Sequence, residues 1–152
     1  PRSRRRPASR SINPINQRGI AMKYLSDYTN VKQTKLWNDN GAFFAFGEKQ
    51  LDEQKQEGVS YVSLGMGLIA PKENASKIIE GLESIHAEGI QQDISDNGIK
   101  AIIHRELANH EAQISGDVSN TVEALEGYGI TRKQVNEEYQ SFYQHCIDND
   151  YF

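Results

Sequence analysis

The chain has 152 residues, 37% of them hydrophobic and 25% charged, an ordinary make-up for a globular protein with enough apolar material for a core. No run approaches the roughly 18 apolar residues of a membrane helix and nothing has the pattern of a secretory signal, so a cytoplasmic protein with no membrane partner is expected. The single cysteine, Cys146, excludes an intramolecular disulfide and a thiolate zinc cluster and leaves packing to hold the fold.

In chain order, residues 1–21 come first. They hold six arginines (Arg2, Arg4, Arg5, Arg6, Arg10 and Arg18) and no acid, so the net charge of −4 conceals a body, residues 22–152, that carries −10. The segment is rich in Arg, Ser, Pro and Asn without apolar periodicity, which predicts a disordered arm. Met22 opens a plausible start, and Gln17-Arg18-Gly19 can be encoded with a purine-rich AAAGAGG run upstream of it, as in a bacterial ribosome-binding site. The arm is therefore expected to be a translated leader or a cloning scar. Its alternative role is nucleic-acid binding through Arg2, Arg4, Arg5, Arg6 and Arg10, by phosphate contact. The acidic body would repel nucleic acid.

From Met22 to Asn40, Tyr24, Leu25, Tyr28, Val31, Leu36 and Trp37 predict one or two helical turns leading into a helix of about ten residues that Asn40-Gly41 ends. Ala42 to Phe46 is short and aromatic, which predicts a buried strand. Gly47 then caps a polar helix, Glu48 to about Glu57, whose only large apolar residue is Leu51, so it lies outside. Val59 to Leu64 alternates as a strand does, and Gly65-Met66-Gly67 predicts a tight turn or bulge into a further strand. A phosphate loop is excluded there, because no Gly-Lys-Ser/Thr and no complete Gly-x-Gly-x-x-Gly is present and Pro71 intervenes before the next helix.

The helix that starts at Pro71 to Asn74 spaces Ile78, Ile79, Leu82 and Ile85 for burial, with His86 at the edge of the stripe. Ile90 and Ile94 fall out of phase with the segment after them, and Asn97-Gly98 predicts a break. The central helix follows, from Gly98 to about Ser115. At about 100° per residue, Ile99, Ile102, Ile103, Leu107 and Ile114 form one apolar stripe, and Glu106 and His110 fall inside it. Two ionisable groups four apart on a core-facing stripe must be paired, hydrogen-bonded or wet. The expected arrangement is a polar network of Arg105, Glu106, Asn109, His110 and Glu111 that fixes the helix register against the aromatic strand.

The same residues suggest two kinds of chemistry. His104 and His110 are six apart, about 120° around the helix, so they cannot share a metal as the histidines of His-Glu-x-x-His do. Glu106 with His110, or His104 with Glu111, would need ligands from Asp117, His86 or His145. A Glu106–His110 general-base dyad is the catalytic candidate, but no nucleophile accompanies it. Neither a metal nor a cofactor is expected.

Asp117 or Ser119 can cap a short helix with Val122 and Leu125, which Gly127-Tyr128-Gly129 stops. Thr131 with Gln134 forms a capping box, and Ile130 with Val135 a hydrophobic staple, at the start of the last helix. Its stripe is Val135, Tyr139, Phe142, Tyr143, Cys146 and Ile147. Glu137, Glu138 and Asp148 outweigh Arg132 and Lys133, which speaks for a packing hairpin over a DNA-binding helix-turn-helix.

Four strings, Gly41-Ala-Phe-Phe-Ala-Phe46 with Gln50, Tyr61-Val62 with Gly65 and Gly67, Arg105-Glu-Leu-Ala-Asn-His-Glu111, and Leu125-Glu-Gly-Tyr-Gly-Ile-Thr131, carry a resemblance over residues 22–152. The chain resembles a family of small uncharacterised proteins, a domain of unknown function encoded by tailed bacteriophages and prophages. The resemblance implies a viral source and a host-cytoplasmic setting, and no activity. A serine or asparagine is common in that family where Gly47 stands, and either would be the better cap.

The expected fold is α+β, a single domain over 22–152 with about five helices packed on a small two- or three-stranded antiparallel sheet. The expected function is a non-enzymatic accessory protein that binds a host or phage protein through its acidic surface. A small enzyme or metal-binding protein built on Glu106 and His110 is the alternative, and nucleic-acid binding through the arm a further one.

Overall fold

A computed structural model describes residues 21–152. The protein is α+β, with seven α-helices and one three-stranded antiparallel sheet among the described residues. The chain divides into two compact units, residues 23–92 and residues 93–152 with Met22, and the boundary falls inside one helix.

In the first unit α1 spans Leu25–Asp39, and Asp27 accepts a 2.8 Å hydrogen bond from the Tyr24 N–H, which satisfies one of the free donors at its start. The helix stops where Asn40 turns its side-chain amide back onto the Leu36 carbonyl, 2.8 Å away, and Gly41 takes a positive φ of 71°. β1 (Phe43–Phe44), β2 (Tyr61–Gly65) and β3 (Leu68–Pro71) form the sheet in the order β1-β3-β2. Leu68 and Ala70 of β3 are buried with Ala42 and Ile78, and Leu36, Trp37, Leu64 and Leu82 pack against them.

The aromatic strand is not the buried one. Phe44 is 42% exposed and Phe46 77%. β1 is two residues long and stands at the sheet edge, so the interior position goes to β3, whose residues are smaller. α2 (Glu48–Gln54) is shorter than expected and buries none of its residues. It serves the strand edge instead. The Gln50 side-chain oxygen accepts from the Phe46 N–H at 2.8 Å, and the Gln54 amide donates to the Phe44 carbonyl at 3.0 Å.

α3 (Ala75–Asn97) follows a 3-10 turn at Lys72–Asn74. Ile78 is fully buried, but Ile79, expected in the same stripe, is 45% exposed, and His86 is exposed. α1 crosses α3 closely. A Cβ at Gly89 would lie 2.7 Å from Thr29 Cγ2 and 3.2 Å from Leu25 Cδ1, and one at Gly81 2.8 Å from Leu36 Cδ1, so two glycines on one helix admit the other.

In the second unit the expected break is present: Gly98 has φ 78°, and α4 (Ile99–Asn109) begins after it. The central helix ends sooner than its periodicity predicts. Glu111 adopts a left-handed φ of 51°, and only a short turn of helix, α5 (Ala112–Ser115), comes after it. Ile102, Ile103 and Leu107 are buried as expected, whereas Ile114, beyond the reversal, is 61% exposed. α6 (Ser119–Ala124) starts where Asp117 accepts from the Ser119 N–H at 2.9 Å, a bond that holds the Asp117 carboxyl below its usual range.

α7 (Arg132–Asn149) has the predicted start, with Thr131 and Gln134 bonded reciprocally and Ile130 and Val135 both buried. Val135, Phe142 and Cys146 join the α4 residues in the core, and burial pushes the Cys146 thiol up. Tyr143 and Ile147, given to the same stripe by spacing, are 36% and 49% exposed.

Candidate functional site

The polar centre of residues 93–152 is built on the last helical turn before Gly98 and on the face of α4 opposite the expected stripe. Asp93 is fully buried, and Arg105, twelve residues later, is 1% exposed. A buried charge demands a partner, and these two meet in a bidentate pair, Nη1 to Oδ1 at 2.8 Å and Nη2 to Oδ2 at 2.9 Å. Gly98 turns the chain so that the start of α4 lies beside the end of α3.

Each Asp93 oxygen then takes a second donor. Asn97 Nδ2 reaches Oδ1 at 2.8 Å, and the Tyr128 hydroxyl, from the 3-10 turn after α6, reaches Oδ2 at 2.6 Å. Four donors occupy the roughly four lone-pair positions that a carboxylate offers. Burial works to lower the Arg105 pKa, but the hydrogen bonds and charge of Asp93, with the charge of Glu106, outweigh it and hold the guanidinium protonated. Burial pushes the Tyr128 phenol above its ordinary value, and its bond to Asp93 pushes it further.

Glu106 is the outer link. It accepts from Arg105 Nε at 3.1 Å, and its other oxygen stands 3.7 Å from His110 Nε2, within ion-pair range and beyond a hydrogen bond. The two side chains are 13% and 28% exposed, so the pair that spacing singles out does turn inward, though incompletely. His110 Nε2 has no hydrogen-bond partner among the described residues. Thr121, fully buried, bonds the Glu106 backbone carbonyl at 3.2 Å.

Of the five residues expected in one network, the structure brings together Arg105, Glu106 and His110. Asn109 and Glu111 are exposed and stand outside it. His104 turns to α7, where its Nε2 lies 2.8 Å from Glu138 Oε2 and its ring meets Phe142 edge-on, while Glu111 faces solvent. No group of three His, Cys, Asp or Glu side chains converges as a metal site among the described residues. Arg2, Arg4, Arg5, Arg6 and Arg10 lie outside the described residues.

Sequence reasoning misses Asp93, Asn97, Tyr128 and Glu138. The available signal is the pair Asp93 and Asn97, four apart in a polar stretch whose isoleucines are out of phase with the stripe that starts at Ile99. Chemically, the centre holds charges in place. Its carboxylate has no free lone pair with which to accept a proton from a substrate, and the arginine beside it is committed to two acids.

No curated protein and no solved structure matches the chain significantly. One family model does, over residues 25–145, a span that covers most of both compact units and every member of the Asp93–Arg105–Tyr128 centre. The chain therefore belongs to DUF7659, a family of unknown function.

Proposed function

We propose that this protein is a non-enzymatic binding module that docks on a basic protein through its acidic surface, as an accessory factor of a tailed phage in the cytoplasm of its host. The phage source rests on the resemblance of its sequence motifs. The observation that carries the binding role is the distribution of charge. Residues 93–152 contain eleven acids and four cations, and one of the four, Arg105, is buried against Asp93. The cations left for the surface are Lys100, Arg132 and Lys133, all exposed. Such a field accelerates encounter with cationic partners and repels nucleic acid and anionic lipid alike. No helix among the described residues is long and apolar enough to cross a membrane.

The alternative, a small enzyme or metal-binding protein on Glu106 and His110, has one supporting feature, the unpartnered Nε2 of His110 facing a carboxylate. Against it, Glu106 is already shared with Arg105.

Binding of the full chain, and of a version lacking residues 1–21, to proteins of the phage-bearing host at low and high salt tests the proposal. The expected result is a basic partner retained by both versions at low salt and released at high salt. A partner retained only through the arm, or one indifferent to salt, refutes it.

A further inference from the structure

Residues 23–92 display three large apolar side chains mostly to solvent, Met66 at 94%, Val31 at 81% and Phe46 at 77%, and of these Met66 and Phe46 stand side by side. Both are held there. Met66 and Gly67 form the two-residue loop between β2 and β3, with φ of 52° and 82°, the pair of positive angles of a type I′ turn. Asn-Gly or Gly-Gly suits such a turn, because most side chains are strained at positive φ. A methionine at that position is kept at a cost to stability, and it packs on little.

Phe46 is seated beside it. Its ring covers Gly67 so closely that a Cβ there would lie 2.5 Å from Phe46 Cε1, and Ala45 N–H bonds the Gly67 carbonyl at 2.8 Å. The Phe46 ring lies parallel to that of Phe44, 6.3 Å between centroids, and Trp37 braces Phe44 edge-on at 5.0 Å. The backbone at this edge is already bonded to Gln50 and Gln54, so a partner would meet side chains here and not a free strand edge.

Charge selects the occupant. α2, which begins two residues after Phe46, carries Glu48, Asp52 and Glu53 against Lys49, all exposed, and residues 23–92 as a whole hold ten acids against seven cations. A second copy, a nucleic acid and an anionic membrane would all meet like charge. We infer that Phe44, Phe46 and Met66 form the docking surface for a cationic protein whose recognition segment places apolar side chains among Lys or Arg. This rests on the reading of the protein as an acidic binding module, and it fixes the surface and the chemistry that module uses.

The test uses the full chain labelled at its methionine methyls, where buried Met22 serves as the control for Met66. The probes are a synthetic amphipathic peptide of Leu and Lys and an oligolysine of equal charge. The Leu-Lys peptide should shift the Met66 methyl signal and leave Met22 in place, and oligolysine should bind about tenfold more weakly or less. Phe46→Ser and Met66→Asn should each weaken the Leu-Lys peptide by about tenfold or more, while Met66→Asn raises the melting temperature, opposite to what a stabilising role would give. Peptide binding that leaves Met66 unmoved overturns this surface and spares the acidic-module reading. Failure of both cationic probes to bind overturns both. A dimer in sedimentation that Phe46→Ser dissolves overturns the cationic partner in favour of a second copy.

Discussion

Asp93 and Arg105 are the residues whose loss should be felt most. Removing one partner of a buried pair strands the other charge, so Asp93→Ala and Arg105→Ala are each expected to cost about 3–5 kcal/mol in urea unfolding, and the double variant Asp93→Leu with Arg105→Met much less than their sum. Additive losses would show that the two charges do not depend on each other. Tyr128→Phe removes a hydrogen bond to a charged acceptor and should cost about 1–3 kcal/mol at neutral pH. The phenol also sets an alkaline limit. Its folded pKa is raised, by burial first and by Asp93 second, so its contribution is whole below the unfolded value of about 10 and fades as pH climbs through the folded one. Between about pH 8 and about pH 11 the wild-type urea midpoint should therefore fall further than that of Tyr128→Phe; equal falls would contradict the raised pKa. Periodicity finds Glu106 and His110 because they break a stripe on one helix. It is blind to Asp93, whose partner lies on the next helix across a glycine, and it misplaces Glu111, because nothing in a glutamate announces a left-handed backbone.

Among the elements, the crossing of α1 and α3 is the most exacting. Alanine is the better helix former by about 1 kcal/mol, yet Gly89→Ala should destabilise by about 1–3 kcal/mol, because the new methyl meets Thr29 Cγ2 at 2.7 Å. Thr29→Ser removes that atom and should restore most of the loss in thermal melts. A Gly89→Ala protein as stable as the parent would show that the helices part easily. Element starts and stops were largely legible, since Thr131 with Gln134, Gly98 and Gly65-Met66-Gly67 act through bonds and dihedrals local to the string. Burial was less so. The aromatic run at Phe43–Phe46 carries the composition of an interior strand, but strand order decides which strand is interior, and order follows from pairings distant in sequence. Spacing alone places Ile79, Ile114 and Ile147 inward, yet all three are exposed: Ile79 and Ile147 lie beyond the arc of helix that their neighbours cover, and Ile114 follows the left-handed Glu111 that ends α4.

For the molecule as a whole, charge is the leading property. Residues 22–152 carry −10, of which residues 93–152 contribute −7. Self-repulsion of this kind weakens the compact state at low ionic strength and is screened over a distance of about 10 Å at 0.1 M salt. The melting temperature of the protein should rise as sodium chloride is added from low concentration, with most of the gain complete by about 0.2 M. A melting temperature that falls over that range would mean that attractive pairs outweigh the excess of acids. The glutamine caps on the Phe44 carbonyl and the Phe46 amide have a different consequence, one for fate in a crowded cell. Ala42 to Phe46 is the kind of uncharged aromatic string from which fibrils nucleate, and two neutral amides occupy the sockets through which a growing stack would recruit it. Replacing both glutamines would leave the interior untouched while opening a template, so the first symptom should be turbidity on prolonged storage and not a lower melting point.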